Sequence, residues 1–78
     1  MKGPSDTEAV YVLVIRGELD ERYRYLFDGM EMERVGGTTV LVGPVRDQAQ
    51  LHGHIERIEE LGLELVSVQQ TRERPGGR

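Results

Sequence analysis

The histidines His52 and His54 are the residues of this sequence best suited to chemistry, because imidazole titrates near neutral pH and can bind metals. His52 stands four residues before Glu56, so on a helix the two side chains would be neighbours and could supply two metal ligands. No third ligand is evident at a matching spacing, so we predict no metal site and interpret His52 as a solvated helix residue. His54 lies between Leu51 and Ile58, where we expect a half-buried imidazole at the edge of the core.

The segment before the same helix is a second candidate for ligand binding. Unpaired N–H groups at a helix N-terminus bind anions, and Arg46 would add positive charge there. Asp47 already serves as a cap at that end, and the segment lacks the glycines of a phosphate-binding loop. Tyr23 could join His54 in a cleft between sheet and helices. The candidate ligand-binding residues are therefore His52, His54, Arg46 and Tyr23.

The sequence offers no recognisable catalytic arrangement. It contains no cysteine, no serine–histidine–aspartate pattern and no pair of carboxylates that stands apart from its many solvated acids. We therefore predict no cofactor, and the residues favour a noncatalytic protein over an enzyme.

Composition describes a small acidic domain. The 78 residues carry 14 acids against 10 bases, a net charge of −4, which argues against nucleic-acid binding. A domain this short buries only about 60% of its unfolded surface, so without disulfides we expect self-association. The sequence has no run of about 18 apolar residues and no apolar signal-peptide core, so we expect a cytoplasmic protein without a membrane segment.

Hydrophobic periodicity predicts four strands and two helices in a single domain over residues 9–70. Continuous β-branched runs indicate buried central strands, alternation indicates edge strands, and Gly36-Gly37 predicts a tight hairpin. Gly43-Pro44 is expected to end the third strand. The short polar segments at either end are expected to be disordered. The predicted elements are strands at 10–15, 30–35, 38–42 and 63–70, helices at Leu19–Phe27 and from Asp47 to a cap at Gly62, and disordered segments at 1–8 and 71–78.

The order of these elements predicts an α+β fold of the ferredoxin-like βαββαβ type. It would have a four-stranded antiparallel sheet with both helices on one face and with the first and third strands in the centre. The main alternative is that Leu19–Phe27 is a loop, which would give β-β-β-α-β.

A sheet with helices on one face leaves its other face open. The first strand is apolar on both sides, and so is the last, so whichever set faces away from the helices forms an exposed apolar patch. We expect two copies to pack sheet to sheet as a homodimer. The candidate interface residues are Tyr11, Leu13 and Ile15 on one face of the first strand, Val10, Val12 and Val14 on the other, and Val66 and Val68 on the last strand.

The stretch 38–68 resembles a family of short, uncharacterised bacterial proteins. The shared core is TVL-x-GP-x-x-DQA-x-LHG-x-x-x-x-I-x-x-LGL-x-L-x-SV, carried here by Thr39-Val40-Leu41, Gly43-Pro44, Asp47-Gln48-Ala49, Leu51-His52-Gly53, Ile58, Leu61-Gly62-Leu63, Leu65 and Ser67-Val68. More distantly, the stretch is similar to ACT-type regulatory domains. That resemblance implies a ferredoxin-like fold, assembly through the sheet and a small ligand at the interface.

Two functions follow as expectations. The first is a noncatalytic interaction or regulatory module that forms a homodimer through its sheet. The second is a small-molecule-binding protein, or a small-substrate enzyme, that uses a cleft near His54.

Overall fold

The computed structural model describes residues 9–71. None of the helices in this range has the length and apolar character needed to cross a membrane. The predicted disordered segments lie outside the described residues, except that Thr71 is the last residue of a strand. The elements are β1 (Ala9–Arg16), a 3₁₀ helix (Glu21–Leu26), β2 (Glu31–Val35), β3 (Thr38–Val45), α1 (Gln48–Glu60) and β4 (Glu64–Thr71).

The four strands form one antiparallel sheet in the order β2-β3-β1-β4. This confirms the predicted α+β class, the four-stranded antiparallel sheet and the central positions of β1 and β3. The hairpin between β2 and β3 turns at Gly36 and Gly37, whose φ angles of 55° and 81° are both positive, as a type I′ turn requires.

The predicted α-helix at Leu19–Phe27 is wrong, because the chain forms only a six-residue 3₁₀ helix there. Asp20 caps it by accepting a hydrogen bond from the Arg22 N–H at 3.0 Å. Both backbone groups of Leu19, just before this helix, are bonded to the hairpin of β2 and β3. Its N–H donates to Thr39 Oγ1 at 2.8 Å, and its carbonyl accepts from the Arg34 guanidinium at 3.0 Å.

Thr39 fixes this connection to the sheet. Its side chain is fully buried on β3, and its hydroxyl both accepts from the Leu19 N–H and donates to the Gly17 carbonyl at 2.7 Å. A buried hydroxyl with both roles satisfied is stable in an apolar core. Thr39 therefore ties the chain between β1 and the 3₁₀ helix to β3, twenty residues from Leu19 in sequence.

Strand β3 continues through Gly43 and Pro44, although these residues were predicted to end it. Pairing with β2 reaches only Val42, so beyond that point β3 is an edge on the β2 side, where a proline is tolerated. Gly43 is buried under the chain that enters β2. A Cβ at this position would lie 2.6 Å from the Gly29 carbonyl oxygen and 2.9 Å from the Met30 Cα.

Helix α1 begins and ends as its sequence predicts. Asp47 caps it by accepting from the Gln50 N–H at 2.9 Å, and Gly62 follows its last turn with a φ of 77°. The Gln50 side chain reaches back to the Arg46 N–H rather than to that of Asp47. Both helices pack on the same face of the sheet, and the core between the layers includes Leu13, Ile15, Phe27, Leu41 and Ile58.

Candidate interaction face and the His54 depression

The sheet face opposite the helices, called here the open face, carries a block of apolar side chains on its two central strands. The registers of β1 with β3 place Val12 beside Val42 and Val14 beside Val40. Cross-strand neighbours point to the same side of a sheet, so these side chains form one surface. The block consists of Val10, Val12 and Val14 of β1 and Val40, Val42 and Pro44 of β3, all of them half-buried.

The two edges of the open face differ in charge. On β2, Glu31 pairs with Val42 and Glu33 pairs with Val40. On β4, Gln69 pairs with Val12 and Ser67 pairs with Val14. Two rows of side chains therefore cross the open face from β2 to β4, each with an acid, two valines and an uncharged polar residue in that order. The rows are Glu31-Val42-Val12-Gln69 and Glu33-Val40-Val14-Ser67. Among residues 9–71, neither glutamate makes an ion pair.

The structure divides the predicted interface residues between the two faces. Leu13 and Ile15 are fully buried under the helices, and Tyr11 and Val68 pack against the same core. These four therefore cannot contribute to an open-face interface, which corrects their assignment. Val10, Val12 and Val14 lie on the open face.

Val66 lies at an irregularity in the pairing of β1 with β4. The register shifts between Val14 and Ile15, which pair with Ser67 and Leu65, so Val66 is left without a cross-strand partner. Its side chain is 52% exposed. This bulge lets Leu65 and Val68 both reach the core although they are three residues apart.

A depression of about 390 Å³ lies where the open face meets the β2 edge. Its apolar part comes from Val40, Val42 and Pro44, and its rim carries the carboxylates of Glu31 and Glu33. Gly29 also lines it, at the point where the chain crosses over Gly43. An apolar floor with an acidic rim suits a cationic group on an apolar stem, such as the side chain of arginine.

His54 is more deeply buried than the sequence predicts, with 6% of its surface exposed. Its ring lies 5.7 Å from that of Phe27, and its Nε2 is buried without a hydrogen-bond partner among the described residues. A second depression of about 230 Å³ beside it is lined by Leu26, Asp28, Gln50, Gly53, His54 and Arg57. Gly53 opens this depression, because no atom lies within 4 Å of where its Cβ would be.

Burial lowers the pKa of His54 below its usual range; Arg57 acts in the same direction, and Asp28 opposes it. The unfolded chain therefore takes up a proton at this residue at a higher pH than the folded chain does. We expect the free energy of unfolding to decrease as the pH falls below about 6.5 and to level off below the folded-state pKa.

The variant His54→Leu should lose most of this dependence between pH 7.5 and 5.5 in urea denaturation. At pH 7.5 it should be at least as stable as the unmodified chain, because it removes a buried polar atom that has no partner. The matched control is His52→Leu, at an exposed position of the same helix. An unchanged pH dependence in His54→Leu would contradict the assignment.

The other predicted ligand residues are not brought together with His54. His52 is exposed and lines a separate shallow depression with Leu51 and Ile55. Arg46 is exposed before α1, and the Tyr23 hydroxyl accepts from the Arg22 guanidinium at 3.4 Å. Within the part of the chain that the structure describes, no three potential ligands are placed to hold a metal.

The sequence patterns did not reveal the roles of two glutamates on the rim of the open face and of one buried glycine in β3. The alternation of Glu31 and Glu33 with methionines indicated only an edge strand, although it also places both glutamates on one face. Gly43 was interpreted as a strand end. Only its close contact with Gly29 and Met30 shows that it must be a glycine.

Comparison with protein-family models matches residues 10–69 to a domain of unknown function, so the match runs from β1 nearly to the end of β4. No curated protein and no solved structure matches the chain significantly.

Proposed function

The chain belongs to this family, the domain of unknown function DUF8691, and we propose that it is a noncatalytic interaction module that forms a homodimer by stacking two open faces. The observation that carries the proposal is the block of five valines and one proline on the central strands. Both helices of residues 9–71 pack on the other face. Exposed apolar patches of this kind are typical of protein interaction sites.

The size of the face supports a weak dimer. Three strands of eight residues and one of five, spaced about 4.8 Å apart and rising about 3.3 Å per residue, give a face of roughly 460 Å². Two such faces bury about 900 Å² in total, slightly below the roughly 1,000 Å² of a stable specific interface and within the range of weak complexes. We therefore expect a dissociation constant in the micromolar range.

We also propose that the fold is a reduced form of the ferredoxin-like arrangement. The 3₁₀ helix stands where the first helix of βαββαβ would be, and β1 and β3 are central. This supports a distant relation to ACT-type domains, which assemble through their sheets. A bacterial, cytoplasmic protein agrees with the core motif and with a sequence that has no cysteine.

Sedimentation equilibrium tests the dimer. At neutral pH, the average mass should rise from that of one chain of 8.8 kDa to that of two as the concentration passes through the micromolar range. A single-chain mass at 100 times that concentration would contradict the proposal.

A second function is favoured by the depression beside His54. We propose that it holds a small carboxylate, which accepts a hydrogen bond from the Arg57 guanidinium and lies against the His54 ring, whose Nε2 is buried. Acetate is the probe. In NMR titration it should shift the His54 ring signals and leave those of His52 unchanged. Equal shifts of both rings, or none, would remove this second function.

A further inference from the structure

We propose that the acid-rimmed depression of one copy binds the arginines of segment 72–78 of the second copy in the homodimer. This inference rests on the proposed stacking of open faces. It adds the relative orientation of the copies and assigns a role to the segment that follows β4. The sequence of that segment is Arg72-Glu73-Arg74-Pro75-Gly76-Gly77-Arg78, with three bases and one acid.

The charge pattern of the open face selects the orientation. The twofold axis of such a dimer lies between the two sheets, parallel to their planes. If it runs perpendicular to the strands, β2 of one copy lies over β2 of the other, and Glu31 and Glu33 of both copies come together. Like charges in direct opposition are unfavourable. If the axis runs parallel to the strands instead, each row of the second copy lies over the same row of the first with its residues in the opposite order, so that β4 lies over β2. Valines then face valines, while the glutamates face Gln69 and Ser67 of the second copy, whose amide and hydroxyl groups can donate hydrogen bonds.

This orientation brings the end of β4 beside the depression. Thr71 pairs with Val10, which also pairs with Pro44, so all three lie at one level across the sheet. After the rotation, Thr71 of the second copy lies over the β2 side at the level of Pro44, about 10 Å above the first sheet. Segment 72–78 therefore begins near the mouth of the depression, which Pro44 and Gly29 line.

The segment fits the depression by charge and by reach. Its seven residues span up to about 24 Å when extended, and an arginine side chain combines an apolar stem with a cationic head. The stem suits Val42 and Pro44, and the guanidinium suits Glu31 and Glu33, neither of which makes an ion pair within residues 9–71.

Binding within one chain is less favourable. The segment would have to cross the valine block of its own sheet, about 14 Å from β4 to β2. Apart from Pro75 it has no apolar side chain to cover that block. The segment is therefore suited to bind the acidic rim, but it cannot cover the valine block in place of the sheet of a second copy.

A charge-swap experiment tests the inference. One variant carries Glu31→Lys and Glu33→Lys, and the other carries Arg72→Glu, Arg74→Glu and Arg78→Glu. In sedimentation equilibrium at 50 mM salt, where screening is weak, each variant alone should dimerise at least tenfold more weakly than the unmodified chain. In an equimolar mixture, the dissociation constant should lie within about threefold of that of the unmodified chain, because a mixed dimer pairs opposite charges at both depressions.

The control exchanges two glutamates on the helical side, Glu59→Lys and Glu60→Lys, and should leave dimerisation unchanged. If the mixture dimerises as weakly as each variant alone while the unmodified chain is dimeric, this inference is overturned and the proposed homodimer still stands. That result is expected if the segment binds its own chain. A monomeric unmodified chain would overturn the proposed function itself.

Discussion

Replacing Val12 with glutamate is expected to raise the dissociation constant of the homodimer by at least about 100-fold and to leave the monomer folded. Val12 lies in the middle of the valine block, beside Val42 on one strand and Gln69 on the other. In the dimer, the new carboxylate would be buried without a partner, which costs about 3–5 kcal/mol, and each 1.4 kcal/mol is tenfold in affinity. In the monomer, it faces water. Sedimentation equilibrium and circular dichroism measure the two effects.

The matched control is Tyr25→Glu. Tyr25 is the most exposed large apolar residue described, at 76%, and it lies on the 3₁₀ helix, away from the open face. This variant makes the same change in charge and should dimerise normally. If both variants dimerise as the unmodified chain does, the valine block is not the interface.

Replacing Gly43 with alanine is expected to destabilise the protein by about 3 kcal/mol, because overpacking a rigid site commonly costs 1–3 kcal/mol and sometimes more. The added Cβ would lie 2.6 Å from the Gly29 carbonyl oxygen and 2.8 Å from the Met30 sulfur. The sulfur can move, but the carbonyl belongs to the backbone that enters β2. For a domain of this size, the melting temperature should fall by about 12–24 °C.

Gly53→Ala is the control for this variant, measured at the same protein concentration because dimerisation raises the melting temperature. Gly53 lies in α1 and has no atom within 4 Å of where its Cβ would be. Alanine there should stabilise the helix by about 0.5–1 kcal/mol. Equal melting temperatures for the two variants would show that the backbone at Gly29 and Met30 does not lie close to Gly43.

The elements governed by local rules were predictable from the sequence. Asp47 and Gly62 bound α1 as capping residues do, and Gly36-Gly37 forms the hairpin turn. The continuous apolar run at residues 10–15 of β1 indicated its central position in the sheet. At the caps and the turn, neighbouring residues alone decide the conformation, so a pattern of a few residues carries the information.

The features decided by distant contacts were not predictable. The apolar spacing of Leu19–Phe27 suits an α-helix, but the chain forms a shorter 3₁₀ helix, preceded by a hydrogen bond from the Leu19 N–H to the distant Thr39. Likewise, nothing local to Gly43 shows the crossing chain above it. The sequence showed that β1 is apolar on both sides, but only the position of the helices decides which side is the open face.

The most direct test of the homodimer is an isotope-filtered NOE experiment on a mixture of ¹³C-methyl-labelled and unlabelled chains. Such an experiment reports only contacts between two copies. Stacked open faces predict intermolecular NOEs from the methyl groups of Val12, Val14, Val40 and Val42, and none from those of Leu13 or Ile58, which are fully buried in the core of each copy. A dimer whose intermolecular NOEs come from other surfaces, or a mixture without any at millimolar concentration, would contradict the proposed interface.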